Sequence, residues 1–556
     1  MLENLCNQCI AEMLLVIFLI SGLIFFLAYS IYPKFLSKKY NLDDRNPTPA
    51  HTLSDGIDYL PTHRLVLLGH HFSSIAGAGP VVGPIIAGLA FGWGPAVLWV
   101  ILGCIFIGGV HDFSALVASI RHNARSIAEI AKVYVSPRAY RLLLSFTWFA
   151  LIYVLIVFLD LTANTFKIDG GVATSSIIYI FLALGFGISL YRLRLPLKYA
   201  TIFFVSLVFL SIWLGQKIPL TNIPVLFGDK SKTWAIFLLI YCFLASVLPV
   251  WILLQPRDYL CSYLLYASVA GGFLGIVFGS LISTGTARFS LNYPLFLAWN
   301  AENVGTLFPL LFVTVACGAI SGFHSLVASG TTSKQLNKEK DARLIGYGAM
   351  LIEGLVAIIA LVTVMVLTRD EELTKKAPLV VYATGMGKFL NVFGLPREFG
   401  FSFGLLALAT FILTTLDTAT RIARYIFQEF FNLRVKETRY FATAMTLILP
   451  TIFVLITLKD KQGNPLPAWK VIWPVFGATN QLLAGLTLLV IAVWLKKKGG
   501  KNIFFILLPM IFMLGITLWA LGQLIFQYKF SLPGVLAVIL FLLALVFVAE
   551  GVKILK

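Results

Sequence analysis

Charged residues are scarce in this sequence. Asp, Glu, Lys and Arg together make up 12% of the 556 residues, while hydrophobic residues make up 59%. A soluble domain has roughly 25% charged residues, so this composition excludes water as the main solvent of the folded chain. The apolar runs are continuous and do not alternate with polar residues, which excludes a membrane β-barrel. The sequence therefore predicts an all-α, polytopic membrane protein.

Signatures of catalysis and of cofactor binding are also missing. The sequence contains no GxxxxGK[ST] loop for nucleotides and no nucleophile motif on a strand-to-helix turn. It has only six cysteines, and the CxxC pair Cys6 and Cys9 lacks the second pair or histidine cluster that a zinc site needs, which leaves an external disulfide or no role. We therefore expect no cofactor, no metal and no enzymatic activity, and any transport must draw on an ion gradient.

About fifteen apolar segments of roughly 20 residues are long enough to span a bilayer. Their approximate bounds are 10–31, 66–90, 95–121, 139–160, 175–191, 199–215, 234–254, 259–283, 307–328, 344–367, 400–420, 440–458, 471–494, 503–526 and 533–552. The first carries Glu3 and Glu12 near its start instead of a basic stretch, so we interpret it as a retained helix and not as a signal peptide.

The 43 Lys and Arg residues concentrate on one alternate set of connecting loops. The positive-inside rule then places the N-terminus outside and the C-terminus in the cytoplasm. The same rule accounts for the net charge of +18, so no nucleic-acid partner is expected.

The apolar segments also suggest an internal repeat. The segments from 66 to 215 and those from 234 to 420 form two groups of five, and four of the five starts are separated by roughly 170 residues. An odd number of spans per unit inverts the second unit in the membrane. The predicted domains are an extra helix with its inside loop (1–64), a first five-helix repeat (65–233), a second repeat (234–438) with an outside insertion (369–398), and four trailing helices (439–556).

Glycine and proline predict a break in the first helix of each unit. Three glycines and two prolines between Gly77 and Pro84 cannot sit in a continuous helix, so the backbone opens there and must line a cavity. The stretch from Ser246 to Pro256 is the corresponding interruption. Paired broken helices point to a substrate site near the midplane, although two simple proline kinks are the alternative. The candidate substrate-binding residues are Ser73, Ser74, Gly77, Ala78, Gly79, Pro80, Gly83, Pro249, Trp251 and Gln255.

Ionisable residues within the apolar spans are costly unless they face a cavity or a partner, so each is a functional candidate. His70 and His71 are about 100° apart on a helix and cannot face the same direction. These histidines, Glu353 and Asp417 are candidates for ion coupling, against structural hydrogen bonds or ion pairs. Asp112, Arg257 and Asp258 lie near segment ends and are candidate gate residues, with ordinary salt bridges as the alternative. Asn480 and Gln481 are expected to hydrogen-bond between helices.

Several blocks of the sequence, spread over most of the chain, resemble those of the carbon starvation protein A family. The blocks are residues 69–84, 111–113, 249–258, 288–290, 321–335, 417–421 and 473–481. The resemblance implies an inner-membrane transporter induced in nutrient limitation, with peptides as the usual substrate and pyruvate, taken up with protons, as the substrate of some members. The broken helices are similar to those of the amino acid, polyamine and organocation superfamily, with its five-plus-five leucine-transporter core. In that core a cation site corresponds here to Ser321 and Ser325, unless these serve only helix packing.

These observations together predict a secondary active transporter for small peptides or a small carboxylate such as pyruvate. Coupling to protons is expected, with sodium as the alternative ion, and alternating access would operate around the two breaks. Three rival functions remain open at this point: a channel, a nutrient sensor, and a metal-containing membrane enzyme that uses His70, His71, His111, Asp112 and His324.

Overall fold

The structure, a computed structural model, describes residues 2–55, 59–249, 252–281, 289–302, 304–433, 435, 437–459, 465–500 and 502–555. Trp251, a predicted substrate-binding residue, lies outside this set, and no side chain of residues 2–11 is described. The helices are α1 (Leu2–Lys39), α2 (Pro49–Thr52), α3 (Arg64–Ile75), α4 (Gly79–Phe91), α5 (Trp93–Gly103), α6 (Gly109–Ile120), α7 (Ile127–Tyr134), α8 (Pro137–Ile168), α9 (Gly170–Tyr191), α10 (Leu197–Lys217), α11 (Lys230–Val247), α12 (Leu254–Leu281), α13 (Leu307–Thr314), α14 (Ala316–Ala319), α15 (Gly322–Gly330), α16 (Ala349–Met365), α17 (Pro378–Asn391), α18 (Arg397–Phe430), α19 (Thr438–Leu455), α20 (Ala468–Lys497), α21 (Phe504–Tyr528) and α22 (Leu532–Leu555).

Short elements complete the description. Two π turns, Cys104–Gly108 and Arg343–Gly348, precede α6 and α16, and three 3₁₀ turns cover Thr332–Lys334, Glu339–Asp341 and Glu372–Lys375. Two small antiparallel hairpins pair β1 (Asn300–Ala301) with β2 (Gly305–Thr306) and β3 (Leu458–Lys459) with β4 (Pro465–Leu466).

The described helices confirm a multi-pass, all-α membrane protein. Thirteen helical spans are long and apolar enough to cross a bilayer, and the pair α3–α4, bent by 47°, would be a fourteenth if it forms one span. The remaining predicted segment, 307–328, is divided among α13, α14 and α15. The count of about fifteen and the five-plus-five repeat therefore stay predictions.

Burial separates an inner group of helices from an outer one. In the most apolar 18-residue stretch of each helix, 89% of the residues of α18 and 94% of those of α20 are buried. The corresponding shares are 28% for α1 and 33% for α22. Apolar side chains exposed on the outer helices can face lipid, because they need no hydrogen-bond partner there. Helix α20 belongs to the predicted trailing segment 439–556, and it packs against α6, α8 and α15.

The predicted break between α3 and α4 is present. α3 ends at Ile75, the backbone leaves the helical region at Ala76 (φ −79°, ψ 62°), and α4 begins at Gly79 with Pro80 in its first turn. Proline fits that position because its missing N–H has no partner there in any helix.

Two parts of the chain pack against the two halves of this break, and one of them, α12, contacts α3. α13 and α14, the first parts of the divided span 307–330, contact α4. The stretch around Pro249 instead separates two long helices, since α11 ends at Val247 and α12 begins at Leu254 with Pro256 in its first turn. The helix predicted for 234–254 is therefore too long at its C-terminal end, and the one predicted from 259 begins five residues earlier.

Candidate functional site

The site centres on residues 76–78, between α3 and α4. Gly77 is packed so closely that a Cβ on it would lie 2.8 Å from the Phe158 ring and 2.9 Å from the Thr415 hydroxyl. Helices α8 and α18, which carry Phe158 and Thr415, therefore pack directly against the break. The hydroxyl of Ser74 donates to the carbonyl of His70 at 2.8 Å, and that of Ser73 donates to the carbonyl of Gly69 at 2.7 Å. The predicted residues Ser73, Ser74, Gly77, Ala78, Gly79, Pro80 and Gly83 are all buried around this break.

Two predicted substrate residues do not reach the break. Pro249 is exposed beyond the end of α11, and the side chain of Gln255 accepts a hydrogen bond from the hydroxyl of Tyr191 at 3.0 Å, at the end of α9. Their predicted role depended on pairing the two proline-rich stretches. The structure places α12, which follows the second stretch, beside α3, and 307–330 beside α4. The role of Pro249 and Gln255 in substrate binding therefore stays a prediction.

His70 joins a buried network around Arg257, which we call the Arg257 network. The Nδ1 of His70 lies 3.0 Å from Oδ2 of Asp258, and Nη2 of Arg257 lies 3.2 Å from Oδ1 of Asp258. The Nη1 of Arg257 donates to Asp417 and to the hydroxyl of Tyr241, which itself donates to Asp417 at 2.8 Å. Two of the three predicted gate residues, Arg257 and Asp258, thus belong to one network with the predicted coupling residues His70 and Asp417. This network joins α3, α11, α12 and α18.

His71 faces a different direction from His70, as expected for adjacent residues about 100° apart on a helix. Its Nδ1 lies 2.8 Å from the hydroxyl of Thr332, which follows α15. Adjacent histidines on α3 are therefore tied to two different parts of the molecule, His70 to α12 and His71 to the segment after α15.

A second buried network, the Asp112 network, joins α6, α15 and α16. The carboxylate of Asp112 is bridged by two imidazoles, with Nδ1 of His111 and Nδ1 of His324 each 2.7 Å from one of its oxygens. The other ring nitrogen of His324 lies 3.3 Å from Oε2 of Glu353. All four side chains have no exposed surface. His324 is the link between the two carboxylates. From the sequence alone, this residue is a candidate only as a metal ligand.

Ser321 and Ser325 both face α20. The side-chain amide of Asn480 donates to the Ser321 hydroxyl at 2.9 Å, and its carbonyl oxygen accepts from the backbone N–H of Phe323 at 2.9 Å. The hydroxyl of Ser325 lies 3.1 Å from that of Thr487. Asn480 thus satisfies the backbone where the chain resumes helical structure after Ile320, as the prediction of hydrogen bonding between helices anticipates. The neighbouring Gln481 donates to the carbonyl of Phe312.

A cavity of about 870 Å³ opens beside these helices, and we call it the vestibule. Its walls come from α4, α13 and α20 and from the segments 297–304 and 369–378. Four basic residues and one acidic residue line it: Arg369, Lys375, Lys376, Lys470 and Glu302. Its lining includes Thr314, whose carbonyl a Cβ on Gly83 would overlap. The vestibule therefore borders the tight contact between α4 and α13.

At the opposite end, loops close over the bundle. Glu339 is 4% exposed and accepts hydrogen bonds from the backbone N–H of Asp43 at 3.0 Å and from Nη2 of Arg121 at 2.9 Å. The hydroxyl of Thr48 donates to the carbonyl of Leu336 at 2.5 Å. The loop after α1 is thus held against the loop after α15, and we call this contact the loop clasp.

Metal binding was one rival hypothesis. Among the described residues, no group of three or more His, Cys, Asp or Glu side chains is arranged to hold a metal ion. The five residues that this hypothesis used are divided among three places. His70 belongs to the Arg257 network, and His71 contacts Thr332. The other three, His111, Asp112 and His324, belong to the Asp112 network.

The fold and these buried networks define a polytopic helical membrane protein with ion pairs at the centre of its bundle. The chain belongs to the carbon starvation protein CstA family, whose family model matches residues 13–378 and 369–520. This confirms the resemblance noted from the sequence blocks.

Named relatives cover nearly the whole chain. The peptide transporter CstA of Bacillus subtilis is 31% identical over an alignment of 593 positions, which covers 95% of this chain and 94% of the relative. The pyruvate/proton symporter BtsT of Escherichia coli is 31% identical over an alignment of 594 positions, which covers 92% of this chain and 81% of the relative. Among solved structures, that of MhsT in complex with L-phenylalanine is 14% identical, covers 88% of this chain and 99% of its own, and gives a TM-score of 0.49.

Proposed function

We propose that the protein is a secondary active transporter that takes up small peptides or a small carboxylate such as pyruvate, coupled to protons, with sodium as the alternative ion. The observation that carries this proposal is the buried α3–α4 break, before which α3 is tied to the Arg257 network through His70 and to Thr332, just after α15, through His71. Broken helices at that depth form substrate sites in secondary transporters. The names of the relatives support the two substrate classes.

The N-terminus of α4 is the proposed site for the substrate carboxylate. Pro80 has no N–H, and the N–H groups of Val81 and Val82 donate to the carbonyl of Ala78, so the N–H of Gly79 is the proposed donor to the carboxylate. The helix dipole adds positive potential there. Gly79 and Pro80 form this first turn, while Gly77 and Ala78 form the open backbone before it. His70, His71, Glu353, Asp417, Ser321 and Ser325 are the proposed coupling residues, and Asp112, Arg257 and Asp258 the proposed gate residues.

We place the N-terminus outside, the C-terminus in the cytoplasm, and the chain in the inner membrane. With this orientation the vestibule opens outward and the loop clasp closes the cytoplasmic end. Four basic residues around the vestibule attract an anion, which favours a free carboxylate over a neutral solute. Transport then requires a state in which the contact between α4 and α13 opens and the clasp separates.

Uptake by purified protein in proteoliposomes tests the proposal. Labelled pyruvate and labelled dialanine are offered separately, with an imposed proton gradient, an imposed sodium gradient, or neither. We expect saturable accumulation of at least one substrate above its outside concentration, driven by one of the two gradients. Accumulation that neither gradient drives, or flux that does not saturate, supports the channel alternative and contradicts this proposal.

The break itself is tested by replacing the two prolines of α4. The Pro80→Ala, Pro84→Ala variant should insert normally but lose most of its uptake, because a restored helix closes the open backbone. Wild-type uptake by this variant contradicts the role of the break. Binding without uptake by the wild-type protein would favour the sensor alternative, and stoichiometric metal in the purified protein would favour the metal enzyme.

A further inference from the structure

We propose that Asp112, His324 and Glu353 together form the binding site of the coupling proton. This inference rests on the proposed function and deepens it, because it selects one of the two buried networks and adds His324. Of its three residues, His324 lies one helical turn after the interruption at Ile320 and Ser321, in the same segment as α14, which packs against α4.

Unsatisfied atoms are the first reason for this assignment. Neither oxygen of Glu353 has a hydrogen-bond partner, and Nε2 of His324 has none either, although the two groups are 3.3 Å apart. An ionised carboxylate without a partner is costly in the membrane interior. A proton held between His324 and Glu353 removes that cost, either as an imidazolium facing a carboxylate or as a carboxylic acid facing a neutral ring.

The balance of fixed charge is the second reason. The Arg257 network contains a guanidinium, which is always charged and faces Asp417 and Asp258. In the Asp112 network the described ion pairs of the two carboxylates are made only with histidines. Every charge among these pairs depends on protonation, whereas the Arg257 network keeps a permanent positive charge that favours the ionised form of its carboxylates.

Neighbouring elements add few other titratable groups to this site. α3 contributes His71, the π turn before α6 contributes the thiol of Cys104, and α14 contributes the thiol of Cys317, all within electrostatic range of Asp112. α20 contributes Asn480 and Thr487, neither of which titrates. Protonation of the site is therefore set mainly by its own two carboxylates and by His111 and His324.

Position explains how the proton and the substrate would be coupled. Asp112 lies on α6, His324 on α15 and Glu353 on α16. When α15 moves relative to α16 as the break rearranges, the distance between His324 and Glu353 changes, and with it the affinity for the proton. A proton bound in one state of the transporter is then released in the other.

Two transport measurements on full-length protein in proteoliposomes test this assignment. The variants are Glu353→Gln and His324→Gln, with the exposed Glu398→Gln as the matched control. The first measurement is accumulation of labelled substrate driven by a proton gradient, and the second is counterflow, the exchange of labelled for unlabelled substrate at equal pH on both sides. Counterflow needs alternating access but no net proton movement.

We expect both variants to keep counterflow and to lose accumulation, so that substrate reaches equal concentrations inside and outside. Glu353→Asp, which restores an acid, should recover part of the accumulation, and the control should behave as wild type. Proton-driven accumulation by both Gln variants overturns the assignment and leaves the proposed function intact. Loss of counterflow in monodisperse, inserted Gln variants that Glu353→Asp does not restore also overturns it, because the residues are then structural. Absence of any uptake by the wild-type protein contradicts the proposed function instead.

Discussion

Gly79 lies directly against Cys317, so that a Cβ at Gly79 would overlap the Cβ and Sγ atoms of the cysteine. Gly79 is the first residue of α4, and Cys317 belongs to α14. One turn along α4, Gly83 approaches the backbone of α13 in the same way, against the carbonyl of Thr314. Two glycines spaced one turn apart therefore set the distance between α4 and the segments α13 and α14, which separate in the transport cycle that we propose.

Replacing Gly79 with alanine should disturb this contact more than the same change elsewhere. Overpacking of a tight contact costs about 1–3 kcal/mol, so we expect a lower melting temperature in detergent and reduced uptake for Gly79→Ala. Gly515→Ala in α21 is the matched control, because nothing lies within 4 Å of a Cβ at that position. Equal melting temperatures for the two variants would show that α4 and α14 are not packed as described.

The ion pair of Arg257 and Asp417 should be energetically coupled. Breaking one partner of a buried pair costs about 3–5 kcal/mol, because the other charge is left without compensation. We expect Arg257→Gln and Asp417→Asn each to destabilise the protein and the double variant to cost less than the sum of the two. Thermal unfolding of all four proteins in detergent measures this coupling. Additive effects would indicate that the two side chains do not interact. The exposed pair Arg45 and Asp43 provides a parallel control, for which no measurable coupling is expected.

The basic residues of the vestibule should raise the capture rate of an anionic substrate. Neutralising Lys375, Lys376 and Lys470 together should raise the KM for pyruvate by roughly 10-fold at low ionic strength, with kcat little changed. The difference should shrink near 1 M salt, where the Debye length is about 3 Å. Lys217→Gln is the control, since this lysine is stacked over Trp213 and does not line the vestibule. A salt-independent change in KM would argue for direct contact with the substrate instead of attraction at a distance.

Asp229, which caps the start of α11, should give a measurable pH dependence. Burial alone would raise its pKa, but the hydrogen bonds from Lys167 and from the backbone N–H of Ser231 and the nearby positive charge hold the pKa below its usual range. A depressed carboxyl pKa stabilises the folded protein above the unfolded-state value of about 4, and this stabilisation is lost as the pH falls through the folded-state value.

The variant Asp229→Asn should therefore be less stable than wild type at neutral pH. Because Lys167 and Asp229 are both partly exposed, the difference should stay below about 1 kcal/mol. It should shrink as the pH is lowered from about 7 through about 4, and vanish below the folded-state pKa, where the wild-type carboxyl is protonated. Melting curves of both proteins across this range provide the measurement, with the exposed Asp370→Asn as control. A difference that grows at low pH would contradict the sign of the shift.

Local chemistry made the first break predictable. Proline and glycine between Gly77 and Pro84 act on their own turn of helix, so no knowledge of the tertiary structure was needed to place it. Helix geometry alone also predicted that His70 and His71 face different directions. The family also followed from short blocks of sequence that the comparison with known proteins confirms.

Pairing of distant segments was not predictable in the same way. The offset between Pro80 and Pro249 matched the spacing of the helix starts, yet evenly spaced helices produce such a match without any contact. The segment beside the break, 307–330, carries weaker signals, namely Gly318 and Gly322 around a polar Ser321. It is followed by a helix with a π turn, Arg343–Gly348, just as the first break is followed by the π turn Cys104–Gly108. That correspondence favours a repeat that begins near 307 over one that begins near 234.

The sequence alone does not indicate the proton-binding role that we propose for His324. A histidine in a polar stretch has several ordinary explanations, and only the fold shows that it lies between Asp112 and Glu353. Glu353 was identifiable because a carboxyl in a long apolar run is costly wherever the helix packs.

The hydrogen bonds between Asn480 and the segment 321–323 have a consequence for biosynthesis. The two partners are 159 residues apart in the chain. At a synthesis rate of roughly 5–20 residues per second, Ser321 leaves the ribosome about 8–30 s before Asn480 does. During that interval the backbone after Ile320 lacks the amide that satisfies it, and an unsatisfied group in hydrocarbon costs several kcal/mol. We therefore expect the nascent segment 307–330 to stay in contact with the insertion machinery or with water until α20 is inserted.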